Sequence, residues 1–383
     1  MELSNVQNVA LWGFLVAMAF GAIANKTNFC TMGAVSDWVF LDDKNRLRAW
    51  FLAIGIAILG TQFLQSQGHI DLGKSIYLAA NFGWLGHALG GFLFGVGMTL
   101  AGGCGQRTLV RVGGGNLKSL VVMLLIGITA YTTLRGLLAP VRINAVEITN
   151  IDLAARNIPD QGIVALLRAA TGIEDANILR WAVAAVAGLG LTVFSLASAD
   201  FRKSFKDLLA GVSIGFFVVA GWYITGKIGF DEFEPVRLES YTFVAPVGEN
   251  LNYLMTYTGS TINFGIAAVF GIIAGSFLYA VLSGNFSIET FNSRQDMINH
   301  VIGGVLMGFG GVLALGCTIG QGVTGMSTLA LGSVITLATI IFGSALTMKI
   351  RYHMQDDHGF LRALRLSLAE MKLLPAAAAT KTA

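Results

Sequence analysis

Residues 87–104 read HALGGFLFGVGMTLAGGC, and residues 300–317 read HVIGGVLMGFGGVLALGC. Ten of the eighteen positions are identical at a constant spacing of 213: His87/His300, Gly90/Gly303, Gly91/Gly304, Leu93/Leu306, Gly95/Gly308, Gly97/Gly310, Leu100/Leu313, Ala101/Ala314, Gly103/Gly316 and Cys104/Cys317. An ungapped match of that density marks an internal duplication of the kind transporters carry. Each copy lies in an apolar run of near-spanning length, about 20 residues for a helix crossing the hydrocarbon core. Each ends in a glycine-rich cysteine loop, GGCGQRT at 102–108 and GCTIGQG at 316–322.

Working outward, nine apolar stretches approach spanning length: 6–24, 49–65, 84–102, 119–139, 179–198, 208–225, 262–283, 297–316 and 328–348. The two matched segments are the third and the eighth. Their ordinals differ by five, an odd number, so they run in opposite directions and the repeat is inverted. The sequence therefore predicts an all-α polytopic membrane protein with a first repeat at 1–139, an outer excursion and connector span at 140–207, a second repeat at 208–350 and a tail at 351–383. Inverted repeats place their substrate near the midplane, at broken helices. Asn28-Phe29-Cys30 resembles Asn285-Phe286-Ser287, but that pairing joins spans of the same direction. Thr242-Phe243-Val244, at a spacing of 214, is the counterpart that inversion allows.

Composition agrees. Of 383 residues, 54% are hydrophobic and 12% charged, where a soluble domain carries roughly twice that charge. Mean hydropathy is +0.68. The 48 glycines against 5 prolines suit closely packed transmembrane helices and not disorder. The net charge of +3 sits wholly in residues 349–383, so no basic stripe suits nucleic acid. Three cysteines in separate segments are not a disulfide framework, and no zinc-type spacing suggests a metal or other cofactor. No GxxxxGK[ST] motif and no Ser-His-Asp arrangement points to an enzyme. The first stretch lacks the positive start of a signal peptide, having Glu2 and no basic residue before Lys26, and is read as a span.

Basic residues set the orientation. A cytoplasmic tail puts Lys26, Lys44, Arg46, Arg48, Arg107, Arg111, Lys118, Arg202, Lys203 and Lys206 inside, with the N-terminus periplasmic. Residues 140–178 and 226–261 become excursions on the outer face. Residues 360–374 alternate apolar and basic side chains at helical spacing, as on an inner membrane surface.

The cysteine loops carry the chemistry. A glycine-rich loop leading into a helix aims backbone N–H groups at an anion. A thiol is a weak donor and a soft acceptor. It suits a solute whose terminal atom is sulfur, and it is expected to be neutral, because a thiolate would repel an anion. Gln106 and Gln321 either donate amides to substrate oxygens or satisfy carbonyls of the broken helices; the sequence leaves both open. Arg107 and Arg111 serve as topology determinants or as attractors of anions near the inner mouth. His87 and His300 tie helix ends or serve a proton relay, and Gly86-x-x-x-Gly90, Gly91-x-x-x-Gly95 and Gly304-x-x-x-Gly308 are packing seams. No Asp or Glu lies deep within a span, so no carboxylate proton relay is evident.

NFCTMGA at 28–34, GGCGQRTLVRVGGG at 102–115 and GCTIGQGVTGMSTLALGS at 316–333 resemble the YeeE/YedE family of sulfur-compound transporters, over nearly the whole chain. The resemblance implies an hourglass-like fold with short re-entrant helices from both faces. It implies thiosulfate uptake across the bacterial inner membrane, with the anion passed along Cys30, Cys104 and Cys317. The surrounding Gly103, Gly105, Gln106, Gly316, Thr318, Gly320 and Gln321 complete the expected translocation site. It also implies a small TusA-like sulfurtransferase partner at the cytoplasmic face. A permease for another sulfur or selenium solute, and a membrane sulfur relay forming a cysteine persulfide, are the alternatives.

Overall fold

The computed structural model describes residues 4–173, 175–231, 236–356 and 359–374; Glu2 and Lys381, used in the charge reading, lie outside them. The fold is helical, and the one sheet among the described residues is a two-residue antiparallel pairing of Asn81–Phe82 with Ile151–Asp152. Nine candidate membrane spans occur among the described residues. In chain order the helices that matter are α1 (Asn5–Thr27), α2 (Thr31–Leu41), α3 (Asn45–Ser66), α4 (Trp84–Leu100), α5 (Gly105–Gly113) and α6 (Leu117–Arg135). The short α7 (Ile163–Thr171) leads to α8 (Ala176–Leu196) and α9 (Phe205–Ile228). Then come α10 (Ala245–Met255), α11 (Phe264–Leu282), α12 (Arg294–Leu313), α13 (Leu331–Gln355) and α14 (Phe360–Glu370).

Glycine sets the central packing. A Cβ on Gly90 would lie 2.6 Å from the Gly310 carbonyl oxygen, and one on Gly310 2.6 Å from that of Gly90. Gly97 and Gly303 meet in the same reciprocal way at 2.7 and 2.6 Å. Only a residue without a side chain allows α4 and α12 to cross this closely. On its other side, α4 presses Gly91 and Gly95 on Thr336 and Ile340 of α13, while α12 presses Gly304 and Gly308 on α6 at Leu125 and Ile126. The three glycine motifs thus sit in helix contacts. Two further close pairs flank this centre: α1 runs parallel to α11, and α3 parallel to α9, the latter through Gly211 on Ala49 and Gly215 on Ala53. The span α8 has only 17% of its apolar window buried, which puts it on the periphery facing lipid.

His87 ties α4 to α13, its Nδ1 lying 2.8 Å from Thr336 Oγ1. His300 closes on its own helix, 2.8 Å from the Asp296 carbonyl oxygen, and Lys118 of α6 meets the same aspartate at 2.9 Å. The tail helix α14 is anchored through Glu370, which accepts from Lys349 at 2.6 Å and pairs with His353 at 3.0 Å.

One expectation fails. Of the described residues in 226–261, those from Tyr241 to Val247 do not lie in an excursion on the outer face. After α9 the chain turns back inward: Tyr241 and Phe243 have no exposure, Val247 is buried, and α10 follows within the helix bundle. The run from Tyr241 to Pro246 is too short to span but too apolar to leave in water, so it is buried against Phe20 and Phe264 instead. Residues 140–173, in contrast, follow the end of α6 and dock at the start of α13, with Leu331 N–H donating to Gln161 O and Ile163 N–H to Leu329 O.

Candidate functional site

Two breaks create the site. At the end of α1, Asn28 turns left-handed (φ 53°), the chain straightens at Cys30, and α2 begins. At the end of α4, Gly102 turns left-handed (φ 70°), Cys104 is extended, and α5 begins. In the second half Leu315, 213 residues beyond Gly102, takes the same left-handed turn (φ 58°) before Cys317. A leucine there is strained where glycine is not. Cys30 and Cys104 therefore occupy N-cap positions, and neither makes a side-chain capping hydrogen bond. Cys317 is engaged differently: its Sγ accepts from the N–H of Gly320, the first residue of a π-helical turn, Gly320–Gly325, at 3.4 Å. Irregular turns of this kind within helical proteins gather at functional sites.

All three cysteines are buried and free. The Cys30 and Cys104 thiols lie side by side, and Cys104 also faces the Thr318 hydroxyl next to Cys317. The structure thus brings the three cysteine loops together. Arginines pin the first two breaks: Arg107 donates to Asn28 Oδ1 and Arg46 to Asn28 O, both at 2.9 Å, and Arg111 donates to Gly102 O at 2.8 Å.

The two glutamines part company. Gln321 is fully used by the fold, donating to Ala314 O and accepting from Ser333 Oγ, both at 2.5 Å. Gln106 is equally buried, and neither atom of its amide has a partner. Thr31 Oγ1, Thr318 Oγ1 and the Trp50 indole N–H share that condition, Trp50 stacking on Phe29 at 4.4 Å. A buried unpaired polar group costs about 1–3 kcal/mol, so such groups clustered beside three thiols mark a place built for a polar occupant. Sequence reasoning missed Thr31 and Trp50. A signal for Thr31 was available, since the dipeptide Cys-Thr stands at 30–31 and again at 317–318. Gly103 packs on the Arg107 side chain, Gly316 on Gln321, and Gly320 on Thr242, so these three shape the loops.

Cavities open toward the site from both ends of α6. One, of about 530 Å³, runs from Arg135, Arg237, Glu239 and Glu249 down to Thr242 and Gly316. The other, of about 510 Å³, runs from Lys118, Glu289 and His300 past Arg107 and Arg111 to Gly102. Burial pushes the Glu239 carboxyl up to about 7, with Arg237 opposing and Glu249 adding to the shift. No cluster of His, Cys, Asp and Glu among the described residues fits a metal ion.

Three buried thiols set between two polar cavities, one of them lined by Arg107, Arg111 and Lys118, are the setting in which relatives become informative. A family model described as sulphur transport matches residues 26–346. The chain belongs to the sulphur-transport family. Within it, the chain is 27% identical over 340 residues to the thiosulfate transporter TsuA of Escherichia coli strain K12, covering 88% of this chain and 93% of that protein. It is 26% identical over 341 residues to the thiosulfate transporter TsuA of Spirochaeta thermophila, covering 87% and 96%. The sulphur-transport match begins just before the Asn28 break and ends within α13, so it takes in all three cysteine loops and leaves out the tail helix.

Proposed function

We propose that this sulphur-transport protein takes up thiosulfate across the bacterial inner membrane, handing the dianion along Cys30, Cys104 and Cys317. The carrying observation is the set of three buried thiols with unpartnered polar groups beside them, between a basic cavity at Arg107, Arg111 and Lys118 and a second cavity where arginines and glutamates balance. The relatives' shared substrate supports the choice of solute. Neutral thiols donate weakly and leave no lasting adduct, which suits passage better than capture. On this reading Cys30, Cys104 and Cys317 meet the terminal sulfur, Gln106 and Thr318 meet oxygens, and Gly103, Gly105, Gly316, Gly320 and Gln321 shape the way.

The chain is organised, in this proposal, as an inverted repeat of 1–139 and 208–350, joined by 140–207 and followed by the tail at 351–383. The reciprocal glycine contacts support it, because adding 213 to Gly90 and subtracting it from Gly310 gives the pair Gly303 and Gly97. So do α2 and α10, both of eleven residues and starting 214 apart. The positive-inside rule puts the N-terminus in the periplasm and Lys118 with α14 in the cytoplasm. The Arg107–Arg111 mouth then faces the cytoplasm, where a TusA-like sulfurtransferase would collect the solute.

Uptake of radiolabelled thiosulfate into proteoliposomes tests the function. Wild type should accumulate label, and Cys317→Ala, eluting as a single size-exclusion peak, should not. Unlabelled wild-type vesicles would remove thiosulfate from the reading.

Glu239 makes the outer cavity sensitive to pH. Above about 7 its carboxylate, with that of Glu249, offsets Arg135 and Arg237; below about 7 it is neutral and the cavity gains positive character. Thiosulfate stays a dianion throughout. Initial uptake should therefore be about threefold faster at pH 6 than at pH 8. Glu239→Gln should hold the faster rate at both, and a variant that keeps the wild-type pH profile would show that the dependence arises elsewhere.

A further inference from the structure

The turn that follows Cys104 holds an open space. Gly105 is buried, yet a Cβ built on it would meet no heavy atom within 4 Å beyond the adjoining residues and its own helix backbone. The other described glycines with such room are Gly68, Gly172, Gly190, Gly259, Gly284 and Gly359, and all six are exposed. Elsewhere in the interior the glycines are tightly pressed, many with a carbonyl oxygen inside 3 Å of the missing methyl. Protein interiors pack to crystal density, so room at one buried glycine in an otherwise tight bundle calls for an occupant.

The surroundings say what kind. Gly105 opens α5, a helix of nine residues, and its N-cap Cys104 makes no side-chain capping bond. The first turn of a helix presents N–H groups and the positive end of its dipole. Gln106, the next residue, is wholly buried with both amide atoms unpartnered. The Cys104 thiol looks toward Cys30 and toward Thr318. Thr31, the neighbour of Cys30, and Thr318 each carry a buried hydroxyl with no partner. Unpartnered donors thus stand on each of the three cysteine loops, and one of those loops holds the open space.

We propose that the space against Gly105 is an oxyanion subsite. It seats the oxygen-bearing end of the solute on the Gln106 amide, the Thr31 and Thr318 hydroxyls and the first N–H groups of α5, while the thiols hold the terminal sulfur. This deepens the thiosulfate reading and rests on it. It also makes selection two-ended. Sulfate satisfies the oxygen donors but offers nothing to the thiols, and hydrosulfide does the reverse, so each should compete poorly with a solute that has both ends. Thr31 becomes a specificity residue that no cysteine pattern alone would single out.

The test is Gly105→Ala in the full-length protein, read by thiosulfate uptake into proteoliposomes and by the thermal unfolding midpoint in detergent. A methyl in empty space leaves the fold undisturbed but takes the substrate's room. The midpoint should stay within experimental error of wild type, and KM should rise at least about tenfold. Thr31→Val, which keeps the shape and deletes the hydroxyl, should raise KM severalfold and leave the midpoint alone. Unchanged uptake kinetics in Gly105→Ala would overturn the subsite while leaving thiosulfate transport standing, and a lowered midpoint would overturn the open space itself. A wild type that neither binds nor takes up thiosulfate would overturn the substrate reading and the subsite together.

Discussion

Cys104→Ala is expected to abolish thiosulfate uptake, lowering the initial rate by about 100-fold or more, with the protein still folded. Cys104 is the one thiol that faces both of the other cysteine loops, Cys30 directly and Cys317 through the adjoining Thr318. Removing its sulfur interrupts the series in the middle, where no other soft group stands in. A site that loses one of its few matched contacts also leaves the remaining polar groups unpaired when substrate arrives, which is why such losses are large. Folding should survive, because the substitution removes one atom from a side chain that makes no capping hydrogen bond. Cys104→Ser, which restores a donor but not a soft acceptor, should recover little. The measurement is uptake in proteoliposomes beside size exclusion of each variant. Substantial transport by a monodisperse Cys104→Ala protein would sink the thiol relay.

The largest structural effect should come from Gly275→Val. A Cβ at Gly275 would stand 1.8 Å from the Met18 carbonyl oxygen, and the same seam has Gly21 at 2.2 Å from Ile272 O and Gly271 at 2.5 Å from Phe14 O. The obstacle is backbone, not a side chain that can rotate, so α1 and α11 must separate. Overpacking costs typically about 1–3 kcal/mol, and more when the main chain has to move. Between membrane helices, close packing supplies much of the attraction that apolar burial provides in water. The variant should therefore lose its monodisperse peak and its cooperative thermal transition. Gly190→Ala, with nothing within 4 Å, is the control and should match wild type. A Gly275→Val protein as stable as that control would mean the helices stand farther apart than the seam implies.

The spans were legible because apolar length is a one-dimensional signal, and the nine stretches read from the sequence coincide with the nine candidate spans. The cysteine loops of Cys104 and Cys317 were legible through their duplication. What stayed hidden are features decided by who sits opposite. Gln106 and Gln321 occupy similar positions after a cysteine, and only Ser333 and the Ala314 carbonyl, brought in from other elements, satisfy one and leave the other unpaired. The inward course of Tyr241 to Val247 was hidden for a different reason: the run is too short to register as a span. The open space at Gly105 has no sequence signal, because glycine is also the residue used throughout to close space.

The strained turn at Leu315 and the committed side chain of Gln321 also bear on direction. Two halves alike in every detail would treat traffic from either face identically. Here the Cys317 half commits its glutamine and leaves only the Thr318 hydroxyl unpaired, whereas the Cys104 half leaves the whole Gln106 amide unpaired, so on the proposed reading the firmest hold on the solute is off-centre. A carrier with its best resting place nearer one mouth saturates at different concentrations for influx and for efflux. Equilibrium still fixes the ratio of the two efficiencies. Even without an energy source, such a molecule works as an asymmetric valve: its response to a scarce solute outside differs from its response to the same solute accumulating within.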